Sequence, residues 1–153
     1  MTRRAIWGWS VAFAVLVGVA LGLGTYTFAY ARGYSYLLDD PAACANCHVM
    51  HEQYDAWHKS SHGAVATCND CHTPHDDLLA KYWVKARNGF WHAYYFTTDT
   101  FHEPIRITAP NRRVTEAACR HCHGELVHAM DAFHEEDAAS CIHCHGAVGH
   151  PSR

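Results

Sequence analysis

Between Ala5 and Ala31 the sequence carries no charged residue, and none of its other uncharged stretches is as long. It has no basic excess, because twelve Lys and Arg stand against fifteen Asp and Glu, for a formal charge of -3. That balance gives no electrostatic footprint for nucleic acid. It lacks low-complexity tracts, and no run of alternating apolar residues marks out a sheet. It also has no cysteine to spare. All eight cysteines fall inside four copies of one short pattern, leaving none for a disulfide or a free nucleophile.

The uncharged stretch comes directly after Met1-Thr2-Arg3-Arg4. Roughly 20 apolar residues cover the hydrocarbon core of a bilayer, so it is long enough to span. Trp7 and Trp9 lie near one end, and Tyr26, Tyr30, Tyr34 and Tyr36 lie at or beyond the other, as amphipathic rings favour both interfaces. The arginine pair places the N-terminus in the cytoplasm and sends the chain beyond Arg32 outside. A cleaved signal peptide is the alternative, because Ala29-Tyr30-Ala31 resembles a cleavage site. The run is about twice the usual apolar region of roughly 7–15 residues, which favours a retained anchor. The expected organisation is therefore a stub and anchor helix over 1–32 and an exported domain over 33–153.

The exported part is punctuated by Cys44-Ala45-Asn46-Cys47-His48, Cys68-Asn69-Asp70-Cys71-His72, Cys119-Arg120-His121-Cys122-His123 and Cys141-Ile142-His143-Cys144-His145. C-x-x-C-H is the attachment signature of c-type haem: two thiols form thioethers, and the adjacent histidine becomes an axial ligand. Zinc has no need of a histidine after each second cysteine. A thioredoxin-like site wants one copy in a βαβ setting. Four copies therefore imply four covalent haems, with His48, His72, His123 and His145 as first-choice proximal ligands. So small a domain builds little side-chain core, so the porphyrins must supply buried apolar surface. The expected fold is mainly α, with short helices, long irregular loops, almost no sheet and one N-terminal transmembrane helix.

The motifs form two close pairs separated by a middle segment, which suggests two dihaem halves. In that segment Leu78, Leu79, Tyr82, Trp83 and Ala86 recur at helical spacing, and Asn88-Gly89 reads as a stop. The aromatic run Phe90 to Phe96 comes next. It reads either as core or as a platform on a lipid surface, given the tether and the flanking Lys81, Lys85 and Arg87. Eleven further histidines remain, His134 among them, for at most four distal axial positions. Met50 reads either as packing or as a thioether ligand.

The anchor, the four motifs and the extension Cys44-x-x-Cys47-His48-Val49-Met50 resemble the NapC/NirT family of quinol dehydrogenases, in particular its branch serving ammonia-forming cytochrome c nitrite reductase. The resemblance implies a single-pass protein of a bacterial inner membrane with its C-terminal domain in the periplasm. It would take electrons from menaquinol and feed a periplasmic multihaem nitrite reductase catalytic subunit, which it also anchors. It implies Met50 in place of His48 at the first haem, and His62 as a distal ligand to a later haem, the third. It implies His150 as a distal ligand within the second and fourth pair, and Lys85 at the quinol pocket. His92 stands where a relative has aspartate, so it either ligates the first haem or accepts a quinol proton. Competing readings keep the quinol step with a nitrate or N-oxide client, or make the chain a passive carrier without a quinol site. A last one has it reduce a small molecule itself at an open haem.

Overall fold

The computed structural model of the chain describes residues 2–131 and 140–150, and His134 lies outside them. The chain divides into two compact units, Met1–Tyr34 and Ser35–Arg153, against the expected break after residue 32. The first unit is essentially one helix, α1 (Arg3–Tyr30), of 28 residues. At 1.5 Å per residue it runs for about 42 Å, more than the roughly 30 Å of a hydrocarbon core. It is long and apolar enough to cross a membrane, and its most apolar window buries nothing within the protein. Its large side chains, Trp7, Phe13, Leu16 and Leu21 among them, are all exposed. Such a surface needs an apolar solvent.

The second unit begins with a 3-10 turn over Gly33–Leu37 that straddles the boundary, then α2 (Pro41–Cys44) and a second turn over His48–Met50. Next come α3 (His51–His58), α4 (Cys68–His72), α5 (Leu78–Thr98), α6 (Ala109–Asp131) and α7 (Cys141–Cys144). No strand occurs among the described residues. Short polar side chains set the starts. Asp40 accepts from the Ala42 N–H at 2.9 Å with Pro41 in the first turn, and Asp77 accepts from the Leu79 N–H at 2.9 Å. At α4 the Asp70 carboxylate takes the Thr67 N–H at 2.7 Å and the Thr67 hydroxyl at 2.8 Å.

Two helices are longer than the sequence led us to expect. α5 has 21 residues and runs through Asn88-Gly89. A mid-helix glycine costs about 1 kcal/mol, which contact elsewhere offsets. Here the Tyr36 ring lies over Gly89, where a Cβ would meet it at 3.2 Å. The helix stops instead at Asp99, in the left-handed region at φ 53, with the Thr100 N–H closing back on the Tyr95 carbonyl at 3.0 Å. α6 has 23 residues and carries the third motif within one uninterrupted helix rich in Arg, Glu and Ala. The second and fourth motifs occupy α4 and α7, and the first spans the end of α2 and the turn after it.

Side-chain core is almost absent. Among the described residues Ala118 is the only buried hydrophobic, at 5% exposure. A domain this long ordinarily buries about two thirds of its unfolded surface around apolar side chains.

Candidate functional site

The second and third motif histidines each face a histidine from a distant segment. The rings of His72 and His150 lie 6.1 Å apart, centre to centre, with planes 9° from parallel. Those of His123 and His62 also stand 6.1 Å apart, with planes at 70°. Two imidazoles on opposite sides of one metal each add about 2 Å of bond and about 1 Å of ring, about 6 Å in all. Rings in direct contact come closer, as His75 and His121 do at 4.4 Å. Each pair is therefore spaced for a single metal atom between its rings.

Local contacts orient these rings. Ser61 Oγ lies 3.1 Å from His62 Nδ1 and donates at 3.5 Å to the Val148 carbonyl, tying the His62 segment to the one before His150. The Nδ1 of His150 is buried without a protein partner, which suits a ring beside a further bound group. Burial first, then the neighbouring His150 and His92, push His72 down to about 4, so it is the neutral imidazole that ligation requires.

The eight thiols are free of disulfides. Cys44 and Cys68 are within hydrogen-bond reach, Cys71 feels Cys122, and Cys119 feels both Cys141 and Cys71. The four motifs thus succeed one another in space in chain order. Among the described residues no three His, Cys, Asp or Glu side chains converge on one point. Zinc wants four donors, or three and a water, whereas paired imidazoles suit a metal whose equatorial ligands come from a macrocycle. The thin core, the thiol pairs and the imidazole spacing all fit haem. Beside the first motif, a cavity of about 620 Å³ is walled by His48, Val49, Gln53, Phe101 and Ile105. That is ample for a cofactor-sized group.

The first motif differs from the second and third. His48 is exposed and meets the Phe96 ring edge-on at 5.9 Å, and among the described residues no imidazole stands opposite it. Met50 is half-buried in the adjoining turn, its N–H bonded to the Cys47 carbonyl at 2.9 Å. In the fourth motif His145 is exposed and caps α7.

Lys85 is buried and held by the protein. It is 5% exposed, and its Nζ donates to Asp39 Oδ1 at 2.6 Å and to the Leu38 carbonyl at 2.9 Å. Asp39 also accepts from Lys81 at 2.8 Å and from the Asn69 side chain at 2.9 Å. The hydrogen bonds from Lys81 and then Lys85 hold the Asp39 carboxyl at about 2. About two turns beyond this clasp on α5, His92 Nδ1 lies 3.0 Å from the Tyr36 hydroxyl. Burial pushes Tyr36 up to about 12 and lowers His92, leaving the imidazole neutral. Elsewhere α5 turns Leu79, Trp83, Phe90 and Tyr94 outward, at 82%, 71%, 64% and 49% exposure. These four fall on one stripe of the helix.

Sequence reasoning missed Asp39, Asn69, Tyr36 and Glu116. Glu116, on α6, accepts from the Ser140 hydroxyl and from the N–H groups of Cys141 and Ile142 at 2.8 and 3.2 Å. It thereby clamps the fourth motif to the helix carrying the third. Only Tyr36 left a signal, as one of the tyrosines beyond the anchor. The others depend on contacts between distant segments.

The chain matches the NapC/NirT cytochrome c family, N-terminal region, over residues 4–153. It is 37% identical over 116 residues to the cytochrome c-type protein NrfH of Wolinella succinogenes, covering 76% of this chain and 63% of that one. It is 37% identical over 93 residues to the cytochrome c nitrite reductase subunit NrfH of Nitratidesulfovibrio vulgaris, covering 61% of this chain and 57% of that one. The chain thus spans about three fifths of the length of these curated relatives. Its fold is similar to a chain in the crystal structure of the cytochrome c nitrite reductase NrfHA complex bound to the HQNO inhibitor. The TM-score is 0.61 and the identity 29%, over 95% of this chain and 89% of that one. A coreless helical unit with thiol pairs and imidazoles set for covalently bound haem thus finds its relatives among cytochromes, and the chain belongs to the NapC/NirT cytochrome c family.

Proposed function

We propose that this chain is a membrane-anchored tetrahaem quinol dehydrogenase, which oxidises menaquinol and passes the electrons to a periplasmic cytochrome c nitrite reductase catalytic subunit. The observation that carries the reading is the twofold occurrence of a motif histidine set 6.1 Å from a histidine of a distant segment. That arrangement suits permanently six-coordinate haems, which carry electrons rather than bind substrate. The client is inferred from the relatives, two of which are NrfH proteins and one a chain of an NrfHA complex.

On this reading Cys44, Cys47, Cys68, Cys71, Cys119, Cys122, Cys141 and Cys144 hold four haems. His72 pairs with His150 and His123 with His62, His145 is the proximal ligand of the fourth haem, and Met50 takes the place of His48 at the first. The bound haems supply one-electron redox chemistry. α1 anchors the chain in the inner membrane, with residues 33–153 in the periplasm. The exposed apolar stripe of α5 rests on the lipid surface, where a lipophilic quinol arrives.

Menaquinol must shed two protons as its two electrons leave. Lys85 donates a hydrogen bond to a quinol oxygen. His92 is the candidate acceptor, and its use either as a base or as a ligand needs a lone pair on Nε2. That requires Nδ1 to carry the proton and donate to Tyr36, so this hydrogen bond sets the useful tautomer. Quinol-driven haem reduction in Lys85→Leu membranes should fall about tenfold, the value of one hydrogen bond of about 1.4 kcal/mol. Reduction by dithionite should be unchanged. Equal quinol-driven rates in variant and parent would remove Lys85 from the site. Co-purification with a multihaem nitrite reductase tests the client, and a nitrate or N-oxide reductase in its place would overturn it.

A further inference from the structure

Lys85 has three N–H donors, and the fold commits two of them, to Asp39 Oδ1 and the Leu38 carbonyl. The ammonium also lies 5.7 Å from the Tyr82 ring centre. Asp39 is 53% exposed, while Lys85 is 5% exposed. The buried cation thus owes its compensation to a carboxylate that reaches outward to solvent. The same carboxylate is gripped by Lys81 from α5 and by Asn69 from inside the second motif. Asp39 lies just ahead of the first motif, so it joins three segments: the approach to the first haem site, the second haem motif and α5.

We propose that Asp39 is the positioning residue of quinol oxidation, fixing the Lys85 ammonium so that one uncommitted N–H remains for a quinol oxygen. This inference rests on the quinol reading of Lys85. The charged and titratable groups around Lys85 are Asp39 on the approach segment, Lys81 and Tyr82 on α5, and the Cys44 thiol of the first motif, which feels the ammonium. Asp39 is the carboxylate paired directly with it. Without that carboxylate the Lys85 side chain loses its shortest hydrogen bond and the contact that fixes its direction.

In Asp39→Asn the ammonium loses its carboxylate anchor, so the defect must appear in quinol binding. The test uses the full-length chain in membranes, with reduced 2,3-dimethyl-1,4-naphthoquinone as donor and haem content checked by mass. Asp39→Asn should raise the KM for the quinol at least tenfold and change kcat by less than threefold. Haem reduction by dithionite should be unaltered, and Asp39→Glu should restore the parent KM. HQNO binding, measured by fluorescence quenching, should weaken in parallel.

A parent-like KM in Asp39→Asn, with Lys85→Leu still slow, would overturn the role of Asp39 and leave the quinol site standing. Parent-like rates in both variants would instead overturn the site. Asp39→Ser provides a second removal of the carboxylate. Failure of both Asn and Ser variants to load haem, with Asp39→Glu fully loaded, would make the carboxylate structural only and also overturn the proposal.

Discussion

Replacing His150 with alanine tests the proposed ligation at its most specific point. In the structure His150 is the ring set at 6.1 Å from His72, and His62 is the ring set at 6.1 Å from His123. Each removal should leave one haem five-coordinate and high-spin while the others are untouched. With four attachment motifs in the chain, the low-spin signal lost by either variant corresponds to one quarter of the total haem. The double variant should lose twice as much, because the two rings belong to separate pairs and their effects add. Magnetic circular dichroism of the oxidised protein measures the fraction directly. The interplanar angles sharpen the test further. Near-parallel imidazoles, 9° apart, split the iron orbitals and give an ordinary rhombic low-spin resonance. Rings at 70° leave those orbitals closer in energy and push the largest g-value upward. Electron paramagnetic resonance should therefore lose a rhombic signal in His150→Ala and a strongly anisotropic one in His62→Ala. Unchanged low-spin content in either variant, or loss of the same resonance from both, would refute the pairing.

Two further predictions concern residues that hold the scaffold. Burial raises the Glu116 carboxyl, and the hydrogen bonds from Ser140, Cys141 and Ile142 outweigh it to give a net lowering. The clamp is thus fully in place above the ordinary carboxylate value and is lost as pH falls through the lowered value of Glu116. Glu116→Ala should weaken the hold on the fourth motif by about 2 kcal/mol, seen as faster proteolysis before Cys141 at neutral pH; parent-like resistance would argue against the clamp. At Gly89 a Cβ would meet the Tyr36 ring at 3.2 Å, so Gly89→Leu should drive Tyr36 outward. The Tyr36 hydroxyl should then titrate nearer the ordinary value than its present value of about 12, as ultraviolet difference titration would detect.

The parts of this protein written in local pattern were legible in its sequence. The motif spacing marked every thiol pair, and the uncharged stretch marked α1 almost to its ends. A mainly helical chain without sheet among the described residues was also to be expected from the lack of room for a side-chain core. What the sequence concealed depended on contacts between remote segments. Asn88-Gly89 looks like a helix stop, yet α5 continues through it with the Tyr36 ring lying over Gly89. Lys85 looks like one of several surface cations until Asp39 is brought against it from the far side of two motifs. Which histidine faces which is likewise a matter of tertiary placement, and eleven candidates share one local appearance.

The partner of each paired ring comes from the wrong half of the chain. His62, ahead of the second motif, reaches the third, and His150, beyond the fourth, reaches the second. Under the proposed ligation each iron becomes a staple across a long stretch of polypeptide, much as a cross-link restricts an unfolded chain. Neither half could then mature alone. A fragment ending before Cys119 would keep His72 but lack the ring that completes its iron, and it would hold His62 with nothing to bind. Completion of the second haem site would wait until His150 arrives.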